Sequence, residues 1–238
     1  MKINEFIQSQ LEALKNKGTL IAACSGGIDS TTSAYLANEA VGTRVHAFVI
    51  DDGLRREQEP EEAEQLLRKL GIKTEILRKQ ERFLTALQGL TDPEEKRKKF
   101  RKVFYSVLKD VLVKHKTTHL LQGTIKADID ETKGNEKERI KTQHNVLQQI
   151  GVDYGFQVVE PLKDLYKNQV RDVARALGLP SRISERMPFP GPGLAIRIVG
   201  AVTPEKVEVV RQAHVIVEST LREKHPFQVF PVLLNDKA

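Results

Sequence analysis

Apolar residues recur at helical spacing over residues 3–16 (Ile3, Phe6, Ile7, Leu11 and Leu14), and Lys17-Gly18 supplies a stop before an unbroken apolar run at 20–24. That run predicts a buried strand. It leads into Ser-Gly-Gly-Ile-Asp-Ser at 25–30, and residues 31–40 then have the Ala and Leu content of a helix, so the two glycines fall at a strand-to-helix turn. A second strand over 44–50 ends on Asp51-Asp52-Gly53. Residues 60–70 open with Pro and acidic residues and close with Arg68-Lys69-Leu70, charges that suit both ends of a helix dipole, and a third strand follows at 74–77. This alternation of strand and helix predicts a parallel sheet covered on both faces.

Further along, residues 92–115 form a charged helix with apolar positions at Phe100, Val103, Phe104, Val107, Leu108, Val111 and Leu112. One face packs, and the basic cluster 96–102 reads first as the solvated face and second as a phosphate or RNA contact. A fourth strand at 119–122 runs into Gly123-Thr124, residues 126–145 are polar enough for a lid-like loop, and another strand spans 157–160. An amphipathic helix within 161–180 ends at Gly178, with Pro180 beyond it. The run Pro188-Phe189-Pro190-Gly191-Pro192-Gly193 excludes regular helix, Thr203-Pro204-Glu205 opens a last helix, and 228–234 is strand-like with no evident partner. The expected fold is α/β, a doubly wound, mostly parallel sheet flanked by helices over 1–185, with a C-terminal appendage over 186–238.

Composition narrows the chemistry. A single cysteine, Cys24, leaves no internal disulfide and no paired-cysteine redox or zinc motif in this 238-residue chain. It sits at a strand end, where packing is its expected role. His115 and His119 have zinc-like spacing, yet no Cys, Asp or Glu lies near enough in sequence to complete a site. No apolar run approaches the roughly 20 residues that span a bilayer, and the N-terminal decapeptide is polar, so a cytoplasmic protein without a membrane partner is expected. The formal charge of +6 suits a polyanionic ligand such as a nucleotide and does not by itself require nucleic acid.

The glycine pair carries the chemistry. Between a strand and a helix, backbone N–H groups form an anion nest reinforced by the helix dipole, and phosphate is its natural guest. Ser25 and Ser30 add hydroxyls, and Asp29 supplies a carboxylate able to hold Mg²⁺ beside bound oxygens. A Walker A loop would need a Lys after the second glycine and a Rossmann fingerprint a third glycine; neither is present. The carboxyl end of the second strand, with Val49, Asp51 and Gly53, sits where doubly wound sheets bind adenine and ribose.

This Ser-Gly-Gly-x-Asp-Ser loop resembles the pyrophosphate loop (PP-loop) of the N-type ATP pyrophosphatases, which have the adenine nucleotide alpha hydrolase-like fold. Gln122-Gly123-Thr124, the segments 140–146 and 160–171, the run Thr91-Asp92-Pro93-Glu94-Glu95-Lys96-Arg97-Lys98 and above all residues 186–198 are similar to the ATP-pyrophosphatase part of GMP synthetases. The likeness runs from about residue 3 to residue 225. It implies amination of XMP to GMP through an adenylyl-XMP intermediate, with Mg²⁺ and with ATP going to AMP and pyrophosphate. It implies that Ser25, Gly26, Gly27, Ile28, Asp29 and Ser30, with Gln122, Gly123 and Thr124, hold ATP and its pyrophosphate, and that Lys141 and Lys167 are cations near the phosphates, although either could be a surface lysine. Arg186 and Arg197 are candidates for the XMP phosphate, with structural ion pairs as the competing account. Asp128, Glu131 and His144 fall in the family's lid, where the acidic pair could bind a second Mg²⁺, position the xanthine or solvate the loop. The lid sequence differs from the family pattern. No glutaminase triad is evident, so ammonia would come from a separate glutamine amidotransferase subunit or from solution. The family continues into a C-terminal dimerisation region expected to begin at Asn235-Asp236-Lys237-Ala238, which makes the appendage a truncated one and a homodimer an expectation. Two other readings stand beside this one: a non-catalytic ATP-binding regulatory or scaffold relative, and a PP-loop ligase with another acceptor.

Overall fold

The computed structural model describes residues 2–133, 155–184, 189–224 and 228–235. Five strands, β1 (Leu20–Ala23), β2 (Val45–Asp51), β3 (Lys73–Arg78), β4 (His119–Leu121) and β5 (Gln157–Val159), form one sheet in the order β3-β2-β1-β4-β5. β1 pairs in parallel with both β2 and β4, and β4 pairs in parallel with β5. β1 and β2 are almost wholly buried and read in sequence as apolar runs, whereas the edge strands β3 and β5 are partly exposed. The order reverses between β1 and β4. In a doubly wound sheet that reversal opens a crevice at the strands' carboxyl ends, the place where ligands bind.

The chain divides into two compact units. The first comprises Met1–Ile50, Pro60–Leu77 and Ser106–Arg186. In it, α1 (Ile3–Lys15), α2 (Ile28–Val41) and α7 (Lys167–Ala176) pack on one another. Their buried residues, among them Ile7, Leu14, Leu36, Ala37, Val170 and Val173, share one core with β1 and β2. α2 is buried on most of its circumference, including Thr31, Thr32 and Ser33, so its N-terminus is held on a rigid element. α3 (Glu59–Lys69) begins with Glu59, which belongs to the other unit, and adds Ala63 and Leu67 to the same core.

The second unit gathers Asp51–Glu59, Arg78–Tyr105 and Met187–Ala238, thus joining the C-terminal stretch to two earlier ones that the strand-helix pattern does not separate from the sheet domain. It contains α4 (Gln80–Leu87) and α8 (Pro204–Leu221), and α5 (Pro93–Lys114) starts within it. Phe83 of α4 meets Phe100 of α5 at 4.9 Å between ring centroids. The Pro/Gly run settles into a tight 3₁₀ turn over Gly193–Arg197, whose Leu194 N–H donates to the Leu54 carbonyl at 2.8 Å. Gly193 has φ +61° and its backbone lies against that same carbonyl, leaving no room for a Cβ.

Three expectations are corrected by the structure. The polar stretch from 126 begins as a helix, α6 (Lys126–Lys133), because Asp128 Oδ2 accepts the Ile125 N–H at 2.9 Å and caps it; residues 134–154 lie outside the described residues. Residues 228–234 do find a partner, since Leu233 bridges Ile198 in parallel and exchanges backbone bonds with Val199 and Arg197, both at 2.9 Å. Lys96 is not on the solvated face of α5: it is 1% exposed. Among the described residues, no helix is long and apolar enough to cross a membrane.

Candidate active site

The loop between β1 and α2 braces itself. Gly26 takes φ +74°, which L side chains rarely adopt, and Gly27 is extended at the start of α2. Ser25 Oγ accepts the Gly27 N–H at 3.3 Å, while Ser30 Oγ donates to the Gly27 carbonyl at 3.2 Å and accepts the Ser25 N–H at 3.3 Å. Among the described residues no side chain caps α2, and its first-turn N–H groups and the positive end of its dipole suit a ligand anion. Beneath the loop, Cys24 is 4% exposed, its thiol points at the Ser30 carbonyl, and burial pushes its pKa up to about 12. It packs, as its place in the sequence suggests, and is no nucleophile.

Asp29 occupies the first turn of α2. Its Oδ2 accepts Lys167 Nζ at 2.6 Å, whereas its Oδ1 is buried with no hydrogen-bond partner among the described residues. Burial raises the Asp29 pKa, the Lys167 ion pair and hydrogen bond oppose that rise, Asp128 adds to it and Arg171 opposes it. An orphaned, hard carboxylate oxygen beside an anion nest is a fitting ligand for Mg²⁺. Among the described residues no group of three or more His, Cys, Asp or Glu could hold a metal. Lys167 is the first residue of α7, whose start is fixed by Gln169 Oε1 accepting the Tyr166 N–H at 2.9 Å.

The loop after β4 closes the other side of the crevice. Gln122 N–H donates to the Val159 carbonyl at 2.9 Å, and Thr124 Oγ1 donates to Glu160 Oε1 at 2.6 Å. Between them, Gly123 lies so near α2 that an added Cβ would meet Ser30 N at 2.5 Å and the Asp29 carbonyl carbon at 2.7 Å. α6 follows, tied down by Lys126 N–H to the Leu165 carbonyl at 2.9 Å and by Tyr166 Oη to Asp130 at 2.9 Å. The first unit therefore brings together Ser25, Gly26, Gly27, Ile28, Asp29, Ser30, Gln122, Gly123, Thr124, Asp128 and Lys167. Sequence reasoning missed Glu160 and Tyr166 as the residues that fix two of these segments, although both lie in the stretch 160–171 on which the resemblance rests.

Other expected site residues lie at the end of β2, in the second unit or outside the described residues. Val49 is buried in β2. Asp51 spends its carboxylate on Gly53 N–H at 3.1 Å, Arg78 at 3.1 Å and Gln80 at 2.5 Å. Gly53 has φ +76° and backs onto Gln80, while its carbonyl accepts Arg211 at 2.7 Å. Arg197 is 3% exposed, with its guanidinium 4.7 Å from the Phe189 ring centroid and 4.5 Å from that of Phe230. Its Nη1 lies 3.4 Å from His214 Nδ1. Burial, helped by Arg56 and opposed by Glu59 and Glu218, lowers its pKa to about 10. Glu131 has its backbone in α6 and its side chain outside the described residues, as are Lys141, His144 and Arg186.

Comparison with known proteins follows the same division. The model of the family described as queuosine biosynthesis protein QueC matches residues 19–185, stopping before the Pro/Gly run. Three archaeal relatives, each named as a subunit of glutamine-hydrolyzing GMP synthase, match through that run as well. The protein of Sulfurisphaera tokodaii is 45% identical over all of this chain and 64% of its own length, that of Archaeoglobus fulgidus 44% over 99% and 77%, and that of Pyrococcus horikoshii 46% over 91% and 70%. The chain thus spans a little under two thirds of the Sulfurisphaera relative it matches. With the self-braced loop at the switch point and these full-chain likenesses, the chain belongs to the PP-loop ATP pyrophosphatases, in the branch that holds these GMP synthase subunits.

Proposed function

We propose that the chain activates XMP with ATP and aminates it to GMP. XMP O2 attacks the α-phosphorus of ATP, the bond to the β,γ-pyrophosphate breaks, and adenylyl-XMP forms; ammonia then adds at C2, a proton is lost, and AMP leaves. The observation that carries this reading is the unpartnered Asp29 Oδ1 beside the α2 N-terminus, a place for a metal-neutralised leaving pyrophosphate, in a chain whose relatives bear the GMP synthase name. Mg²⁺ bound there would neutralise triphosphate charge. The α2 N–H groups and the Ser25 and Ser30 hydroxyls would take the departing oxygens, and Lys167, released from Asp29, would add its charge. Gln122, Gly123 and Thr124 would wall the nucleotide side. Lys141 is assigned to the phosphates, and Arg186, Asp128, Glu131 and His144 to XMP, on motif correspondence. For Arg197 that assignment requires Phe230 to move off its guanidinium. A separate subunit supplying ammonia from glutamine, and a homodimer, complete the reading.

The deciding assay follows pyrophosphate release with XMP and ammonium, beside IMP and nicotinate-adenine dinucleotide. Release dependent on XMP supports the proposal. Release with another acceptor only, or none with any acceptor, overturns it.

Lys167 favours ionised Asp29, so Lys167→Met is expected to raise the carboxyl pKa further. Metal-nucleotide binding needs the ionised form, and its loss on acidification should therefore begin at a higher pH than in the unsubstituted protein. Calorimetric titration with Mg-ATP from about pH 4 to 8 reads this; a limb that stays in place refutes the coupling.

A further inference from the structure

The run 91–98 and the Pro/Gly run 186–198 are both part of the likeness to GMP synthetases, and a single side chain joins them. Lys96 lies in the first turns of α5, within the second unit, and is 1% exposed. Its Nζ donates to the carbonyls of Ala195 at 3.3 Å, Ile198 at 2.7 Å and Gly200 at 2.7 Å. An ammonium has three N–H donors, and here each has an acceptor. These acceptors lie at and beyond the C-terminal end of the Gly193–Arg197 turn, where carbonyls carry the negative end of the peptide dipoles. The formal charges acting on it are Lys206, which opposes the ammonium, and Asp92, which favours it. Among the described residues no hydrogen-bonded carboxylate compensates Lys96, so the carbonyl cage must repay its desolvation. For simple packing, a methionine of similar length would fill the space without that cost.

We propose that Lys96 is a positioning residue that fixes the carbonyls of 195, 198 and 200 and so sets the acceptor-side loop carrying Arg197. This rests on the reading of the Pro/Gly run as part of the XMP side of the site. The cage is, in chemical terms, an alkylammonium site whose occupant is built into the chain.

Two variants test it. Lys96→Met keeps length and removes charge; amide hydrogen exchange over residues 195–200 should accelerate roughly tenfold or more, and the KM for XMP should rise by about the same factor while that for ATP changes less than about threefold. Lys96→Ala removes a group the size of propylammonium. Exposure to tens of millimolar propylammonium should recover exchange protection and thermal stability, whereas propanol, of similar shape and no charge, should not. Wild-type exchange and XMP KM in Lys96→Met, or equal rescue by propanol, would overturn the proposal. Exchange and thermal rescue need no turnover, so the role of Lys96 is decided even if the unsubstituted protein does not act on XMP. Should Lys96→Met fail to fold, the amine and alcohol arms on Lys96→Ala settle the question.

Discussion

Asp29→Asn is expected to cut XMP-dependent pyrophosphate release by on the order of a thousandfold with the fold left in place. The substitution preserves shape and one carbonyl-type acceptor, yet removes the charge that neutralised Mg-triphosphate chemistry would need. Stability should change little for two reasons. Burial already disfavours the ionised form of Asp29, so a neutral amide suits the site. The partner left behind, Lys167, has a side chain 43% exposed and is solvated without it, and a pair this open to water contributes little. Pyrophosphate release and thermal melting, measured on the same preparation, check both halves. Retention of more than about a tenth of the activity would remove Asp29 from the proposed chemistry.

The parts of the fold legible in sequence are those with a local cause. β1 and α2 are marked by an apolar run, two glycines and a helical composition, all contiguous, and the parallel pairing follows from repeated β-α alternation. What escaped depends on distant partners. α4 is short and buries only Phe83 and Leu87, too weak a period to stand out. α6 sits in a polar stretch and is held by Leu165 and Tyr166, which the local pattern cannot supply. Lys96 looked solvated because its neighbours are charged, although it stands four positions before Phe100 and seven before Val103, on the apolar stripe of α5. Asp51 has distant partners too: its carboxylate accepts Arg78 and Gln80, which the local pattern at the strand end does not reveal. The site glycines divide likewise. Gly26 is explained by its own φ, Gly123 only by what it touches.

That contact makes Gly123→Ala the second large effect expected. The added methyl would stand 2.5 Å from Ser30 N and 2.7 Å from both Ser30 Cα and the Asp29 carbonyl carbon, all backbone atoms at the head of a mostly buried helix. A flexible side chain could turn away; this backbone cannot. Either α2 shifts, spoiling the Asp29 and Ser30 geometry, or the 122–124 loop retreats, straining the Thr124–Glu160 bond and the Gln122 N–H to Val159 link. Overpacking of this kind costs roughly 1–3 kcal/mol in stability. The functional loss should be larger, because positioning errors near 1 Å can cost about a hundredfold in rate. Calorimetry with Mg-ATP should show weakened binding, and turnover should fall by about two orders of magnitude. Introducing Glu160→Ala frees the 122–124 loop to move outward. The double variant should then lose less activity than the two single effects multiplied, because both act through the same displacement. Strict multiplicativity would separate Glu160 from the crevice, and unimpaired Gly123→Ala would mean that the loops approach less closely in solution than this geometry requires.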